Sequence, residues 1–302
     1  MVMRIISVIC CLTIVSVVFP KNHYIKGSVI VIDGFESRHS FISYVTIDGV
    51  KYLLKQKKIK SQQFSVVRDA LSAWIAQDLD IAHSVSIIPP EEDFPGKKNK
   101  LWPATLHTIA PGKTVRSQKG SKYHALCLKQ RVPGGVRPIN RWLTETIIHQ
   151  MTWHKQIPII IGLDLFLCYT DRHGGNLFYD PATDSFCAID MENIFRRDLP
   201  GLAYEKLLLM LHQGKQFSKK EIEALAKMRD IIAFLLDKYT SKKIIDKLHF
   251  FVKQAGFTKN SPSYTEKIKK KIARHERIII QSRASAYKLL LMLEKIIEHF
   301  KG

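Results

Sequence analysis

At 302 residues, with 46% hydrophobic and 10% aromatic side chains, the chain can bury a sizeable core across two lobes, which excludes a disordered or low-complexity protein. Its 47 Lys+Arg against 27 Asp+Glu give a formal charge of +20 at pH 7, which implies an anionic partner: nucleotide, acidic membrane surface or nucleic acid. The five cysteines (Cys10, Cys11, Cys127, Cys168 and Cys187) have neither metal-ligand spacing nor a regular disulfide framework, and Cys168 and Cys187 read as small buried hydrophobes.

Residues 1–20 form a hydrophobic leader, in which Arg4 supplies a positive start and Ile5 to Phe19 is an apolar run of about 15 residues closed by Pro20-Lys21. The run is shorter than the roughly 20 residues a spanning helix needs, and no Ala-x-Ala-like site follows it. Signal peptide, short membrane anchor and buried hydrophobic element all stay open. The first two would make the protein secreted or membrane-associated.

Residues 27–110 are expected to form a first lobe, mainly β. "GSVIVID", "FISYVTI" and "VKYLLKQ" alternate as strands do, and Asp48-Gly49 between the last two is a hairpin signal. Asp33 to Ser40 reads as a polar turn with one glycine, Gly34. From Gln62 to Ile81, the residues Phe64, Val67, Leu71, Trp74, Ile75 and Leu79 recur at helical spacing. A charged loop follows to about Lys100, and "LWPATLHTIAPGKTV" holds a strand that stops at Pro111-Gly112, where the lobes connect.

Residues 111–302 are expected to form a second, helical lobe. Arg141 to Trp153 and Ile157 to Tyr169 read as two helices, or as a helix and a buried strand; "IPIIIGLDLFLCY" has no amphipathic face and belongs to the interior. Trp74, Trp102, Trp142 and Trp153 are expected in the core. Ser218 with Glu221 and Ser263 with Glu266 have the spacing of capping boxes, and Tyr264 to Phe300 is one long basic helix. Its run Lys267 to Lys271 reads as a solvated face, or as a docking surface for an anionic membrane or a polyphosphate activator.

The chemistry concentrates in "YTDRHGGNLFYDPATDSFCAIDMENIF", Tyr169 to Phe195. Phosphoryl transfer needs a carboxylate to receive the acceptor's proton and oxygen ligands for Mg²⁺ (or Mn²⁺). Asp171, Asn176 five residues on and Asp190 fourteen beyond that have the order of such a set, with Asn176 and Asp190 as metal ligands. The catalytic candidates are Asp171, Arg172, Asn176 and Asp190. "NLFYD" and "SFCAID" bracket a turn at Pro181 to Asp184, so a hairpin would set Asn176 beside Asp190. Gly174-Gly175 would let the backbone pass close to ligand. His173 reads as a structural residue of the loop, and Glu192 as outward-facing or Arg-paired.

ATP also needs a lysine on its phosphates. Lys55, at the end of "YLLKQ", stands where a kinase strand lysine would, with Asp69 as its helix partner and Asp78 as the less suited alternative. Gly34, Ser37 and Ser40 would take the place of a glycine-rich loop over the phosphates.

"TDRHGGN" and "AID", supported by "YLLK", "RDALSAW" and "ATLHTIAPG", resemble the phosphatidylinositol 3/4-kinase superfamily, especially type II phosphatidylinositol 4-kinases and the atypical kinases of bacterial effectors. The resemblance spans Gly27 to Glu205. It implies an α+β, bilobal protein-kinase-like fold, with ATP and Mg²⁺ between the lobes and a phosphoinositide or a protein hydroxyl as acceptor. It also implies that Thr105, His107 and Ile109 lie along an adenine-contacting hinge. The chain departs from the family pattern in "IDMEN" and in the glycine-poor phosphate loop. Two rivals differ in kind: a pseudokinase scaffold that binds nucleotide without transfer, and a nucleic-acid-binding protein. Basic residues interleaved with aromatics would support the second, and the sequence lacks them, so no specific nucleic acid is expected.

Overall fold

The computed structural model describes residues 29–36, 40–79, 81, 84–90, 92–99, 101–126, 143–257 and 262–300. The leader, Ser37, Cys127, Arg141 and Trp142 lie outside them. Strands β1 (Val29–Glu36), β2 (Ser40–Ile47) and β3 (Val50–Lys57) pair antiparallel. The β2–β3 turn has φ 49° at Asp48 and 79° at Gly49, the two positive values a tight hairpin requires. The expected polar turn is shorter than the sequence implied. Asp33 to Glu36 belong to β1, because their partners Tyr44 to Phe41 continue the ladder, and only residues 37–39 lie between the strands.

Helix α1 (Ser65–Ala76) follows, then β4 (Val85–Ile88) and β5 (Ala104–Thr108), completing a sheet in the order β1-β2-β3-β5-β4. Strand alternation gives that sheet two different faces. Val45, Leu54, Ala104 and Leu106 pack with Ile88 and Phe94 in a small core on one face. Lys55, Lys57, Thr105 and His107 occupy the other parity, and α1 covers it with its buried Val67, Leu71 and Ile75. Helix α1 is shorter than the expected span, since a 3₁₀ turn over Lys60–Gln62 precedes it.

The helical part comprises α2 (Glu145–Met151), α3 (Ile157–Phe166), α4 (Leu199–His212), α5 (Lys219–Lys238), α6 (Ser241–Gln254) and α7 (Pro262–His299). Helix α3 resolves the helix-or-strand alternative. Nearly every residue of it is buried, and Gly162 brings it so close to α5 that a Cβ there would meet Ile231 at 3.1 Å. A three-stranded sheet, β6 (Lys113–Thr114), β7 (Leu177–Asp180) and β8 (Ser185–Ala188), is set into this part. The Ser218/Glu221 capping box forms, whereas Ser263 is already inside α7, which opens at Pro262. Trp74, Trp102 and Trp153 are half-buried rather than core residues; Trp74 lies 4.9 Å from the Tyr239 ring.

The C-terminal helices hold α1 from behind. Tyr239 donates to Asp78 at 2.5 Å, Lys238 pairs with Asp78 at 2.7 Å, and the Phe64 ring lies tilted 5.2 Å from the His275 ring. The chain thus has the α+β, two-lobed order expected of a protein-kinase-like fold. Among the described residues no helix is long and apolar enough to cross a membrane.

Candidate active site

The loop after α3 is built around a buried arginine. Arg172 is fully buried and grips Asp164 of α3 with two bonds, Nε to Oδ2 at 3.0 Å and Nη2 to Oδ1 at 2.9 Å. Its Nη1 donates to the backbone oxygens of Asn176 at 2.5 Å and Ile189 at 3.3 Å, the residues flanking the β7–β8 hairpin. Burial works against this charge, but Asp164 and Tyr169 outweigh it and hold the guanidinium protonated. Arg172 was expected among the catalytic residues. Because it is enclosed and fully engaged it cannot touch a substrate, and it acts as the rivet that fixes the hairpin to α3.

Tyr169 is the second hub, and sequence reasoning missed it. Its hydroxyl lies 3.0 Å from the Asp190 carbonyl and 3.2 Å from that of Asp171, and accepts from Asn176 Nδ2 at 3.1 Å. The other Asn176 donor goes to the Asp171 carbonyl at 3.1 Å, which leaves its amide oxygen as the atom for a cation. Asp171, Asn176 and Asp190 are therefore gathered through one phenol. Asp171 is half-buried, with Oδ2 3.5 Å from Asn193 Nδ2. His173 accepts from the Gly175 amide at 3.0 Å, the structural role read from the sequence. The two glycines serve internal packing: a Cβ at Gly174 would meet the Arg116 nitrogen at 3.3 Å, and one at Gly175 the His173 ring at 3.0 Å.

Across from the hairpin, Lys55 on β3 bonds Asp190 and lies 3.1 Å from Glu192. Lys57, on the same strand face, pairs with Glu192 at 2.7 Å. Glu192, expected to face outward or pair with an arginine, instead points inward because two lysines converge on it. Burial works against the Lys55 charge, but Asp190, Asp69 and Glu192 outweigh it and hold the ammonium charged. For Asp190, burial is likewise overcome by Lys55, Lys57 and His173, so its pKa lies below the ordinary carboxylate value. Asp190 also sits at φ 54°, a left-handed conformation that costs a non-glycine residue on the order of 1 kcal/mol.

Asp69 lies beneath this pair. Burial pushes its pKa up to about 7, with Lys55 opposing and Glu192 and Asp190 adding to the rise. Its Oδ2 is 3.4 Å from His107 Nε2, and its buried Oδ1 has no hydrogen-bond partner among the described residues. In this structure Lys55 bonds Asp190 and not Asp69. The alternative, Asp78, is committed to Tyr239 and Lys238 on the far side of α1.

Of the expected phosphate-loop residues, Gly34 lies within β1 opposite Ser43 and Ser40 is buried within β2 opposite Lys57, on either side of residues 37–39, and Ser37 is outside the described residues. Thr105 and His107 are buried in β5 and bond each other at 2.8 Å; their side chains do not offer a hinge surface, and only Ile109, beyond the strand, is exposed.

A cavity of about 570 Å³ opens on Asp171 and Asp190, with walls from Arg68 of α1, Arg196 after the hairpin and Arg274 of α7. Asp190 and the Asn176 amide oxygen are the oxygen donors that could hold a hard cation here; no group of three His, Cys, Asp or Glu side chains that could hold a metal is found among the described residues. Sequence signals for the missed residues existed. Asp164 stood alone in an apolar run, and Lys57 shares strand parity with Lys55.

No family model and no curated protein matches the chain. Among solved structures, it is similar to the Helicobacter pylori proinflammatory kinase CtkA, at 12% identity and TM-score 0.43 over 86% of this chain and 96% of that one. It is also similar to spectinomycin phosphotransferase APH(9)-Ia in complex with ADP and spectinomycin, at 11% identity and TM-score 0.28 over 86% and 92%. At these scores the likenesses carry no functional weight, which rests on the site itself.

Proposed function

We propose that the chain is an ATP- and Mg²⁺-dependent kinase that transfers the γ-phosphate to a hydroxyl, with a phosphoinositide as acceptor. The observation that carries this reading is the Lys55–Asp190 pair beside Asp171 and Asn176, with the loops that follow α3 and β8 joined through the Tyr169 hydroxyl. Lys55 would meet the α- and β-phosphates, and Asp190 with the Asn176 amide oxygen would hold Mg²⁺, which neutralises charge on the transferring group. Asp171 receives the proton as the acceptor oxygen bonds phosphorus and the bond to the leaving diphosphate breaks; Asn193 orients that carboxylate. Residues 27–110 and 111–302 would be the two lobes. Lys267, Lys269 and Lys270, exposed on α7, suit an anionic membrane surface.

Labelled ATP offered with separate panels of phosphoinositides and proteins tests the reading. Transfer to lipid that disappears in Asp171→Ala supports it, and transfer to protein alone moves the acceptor to a Ser/Thr hydroxyl. Nucleotide binding with no transfer to either panel makes the chain a pseudokinase.

A further inference from the structure

Four cations close the side of the cavity away from the sheet: Arg68 on α1, Arg196 after the hairpin, and Lys271 and Arg274 on α7. Three separate stretches of chain bring them together, and the Phe64–His275 contact anchors α1 to α7 at the same place. Burial, with Arg196 and Arg274 nearby, pulls the Arg68 pKa down to about 10 against Glu192 and Asp69, and burial with Arg68 and Arg196 lowers that of Lys271. The cations therefore repel one another. Arg68 Nε is also buried with no hydrogen-bond partner among the described residues. A dianion between them would relieve the repulsion and take up that donor.

Of the three acids that line the cavity, Asp190 and Glu192 are engaged with Lys55 and Lys57 and Asp171 accepts from Asn193, so the α1–α7 wall is its basic side. Asp171 and Asp190 line the same cavity while Lys55 and β5 do not, so this wall faces the transfer end of the proposed nucleotide site and not its base. One concave space of about 570 Å³ encloses both Asp171 and the cations, a volume suited to a compact molecule rather than an extended peptide. Resting on the kinase reading above, we propose that Arg68, Arg196, Lys271 and Arg274 form a subsite for a phosphate monoester already carried by the acceptor. The hydroxyl offered to Asp171 then belongs to a phosphorylated polyol.

The full chain is assayed with labelled ATP and matched acceptors: vesicles containing phosphatidylinositol or phosphatidylinositol monophosphate, and, in solution, inositol or inositol monophosphate. The phosphorylated member is expected to be preferred by about tenfold or more in kcat/KM, in the lipid arm for a headgroup and in the soluble arm for a free polyol. Arg196 and Arg274 are exposed, so Arg196→Ala/Arg274→Ala should fold, and it should erase most of that preference. Calorimetric titration of inositol monophosphate reads the subsite without turnover, and about tenfold weaker binding is expected in the double variant. Equal rates on both members of each pair, a preference that survives the double variant, or a stronger preference for a phosphopeptide overturns the subsite. Absence of transfer to every acceptor removes the kinase reading and the acceptor role with it; weakened titration in the double variant would then retain an anion at these cations, and unchanged titration would remove that too.

Discussion

Lys55 and Asp190, 135 residues apart in sequence, form an ion pair that joins β3 to the loop after β8. Removing the lysine takes away the cation that Asp190, Asp69 and Glu192 share. Lys55→Ala should lower stability by about 1–3 kcal/mol, less than for a fully buried pair because the Asp190 side chain is 36% exposed, and abolish transfer. Denaturant unfolding with a phosphotransfer assay checks both, and a variant as stable and active as wild type removes the pair from the site.

The order Asp171, Asn176, Asp190 and the hairpin that joins them were legible because a turn between two short apolar strands is local chemistry. Lys55 was legible because it follows two apolar residues at the end of a strand whose hairpin signal, Asp48-Gly49, is local too. What the sequence did not reveal is which buried groups meet across the fold. Asp164 and Arg172 are eight residues apart yet pair only because α3 ends and the chain reverses at Cys168, whose φ is 52°. The inward turn of Glu192 depends on Lys57, 135 residues away, and the α1–α7 cations depend on how three segments pack.

Asp171 and Asp190 should separate by phenotype. If Asp171 receives the acceptor's proton as proposed, Asp171→Ala should lower kcat by about 10³-fold or more while ATP binding persists. Asp190→Ala should eliminate Mg²⁺-dependent nucleotide binding. Fluorescent-nucleotide titrations with and without Mg²⁺ decide the second point; equal affinity in wild type and Asp190→Ala would exclude the metal role.

Arg172 and Asp164 test the rivet. Asp164→Ala strands a fully buried guanidinium and should cost about 3–5 kcal/mol, whereas Asp164→Leu/Arg172→Met should recover much of that loss. Unfolding midpoints of the two variants provide the comparison. Recovered stability with activity still low would show that the pair serves hairpin geometry, and a single variant within about 0.5 kcal/mol of wild type would deny it a structural part.

Asp69 makes stability depend on pH in a particular direction. Its folded pKa, about 7, lies above the ordinary 3.8, so the folded state holds the proton more tightly than the unfolded chain. The contribution is intact below the unfolded value and is lost as pH rises through the folded one. Asp69→Asn, which cannot ionise, should therefore gain stability relative to wild type as pH rises from 4 to 7, and level off above that, by an amount on the order of a few kcal/mol. Chemical unfolding of both proteins across that range measures the difference. A flat difference would mean that Asp69 ionises freely, and that its burial, with Glu192 and Asp190 nearby, does not govern its proton.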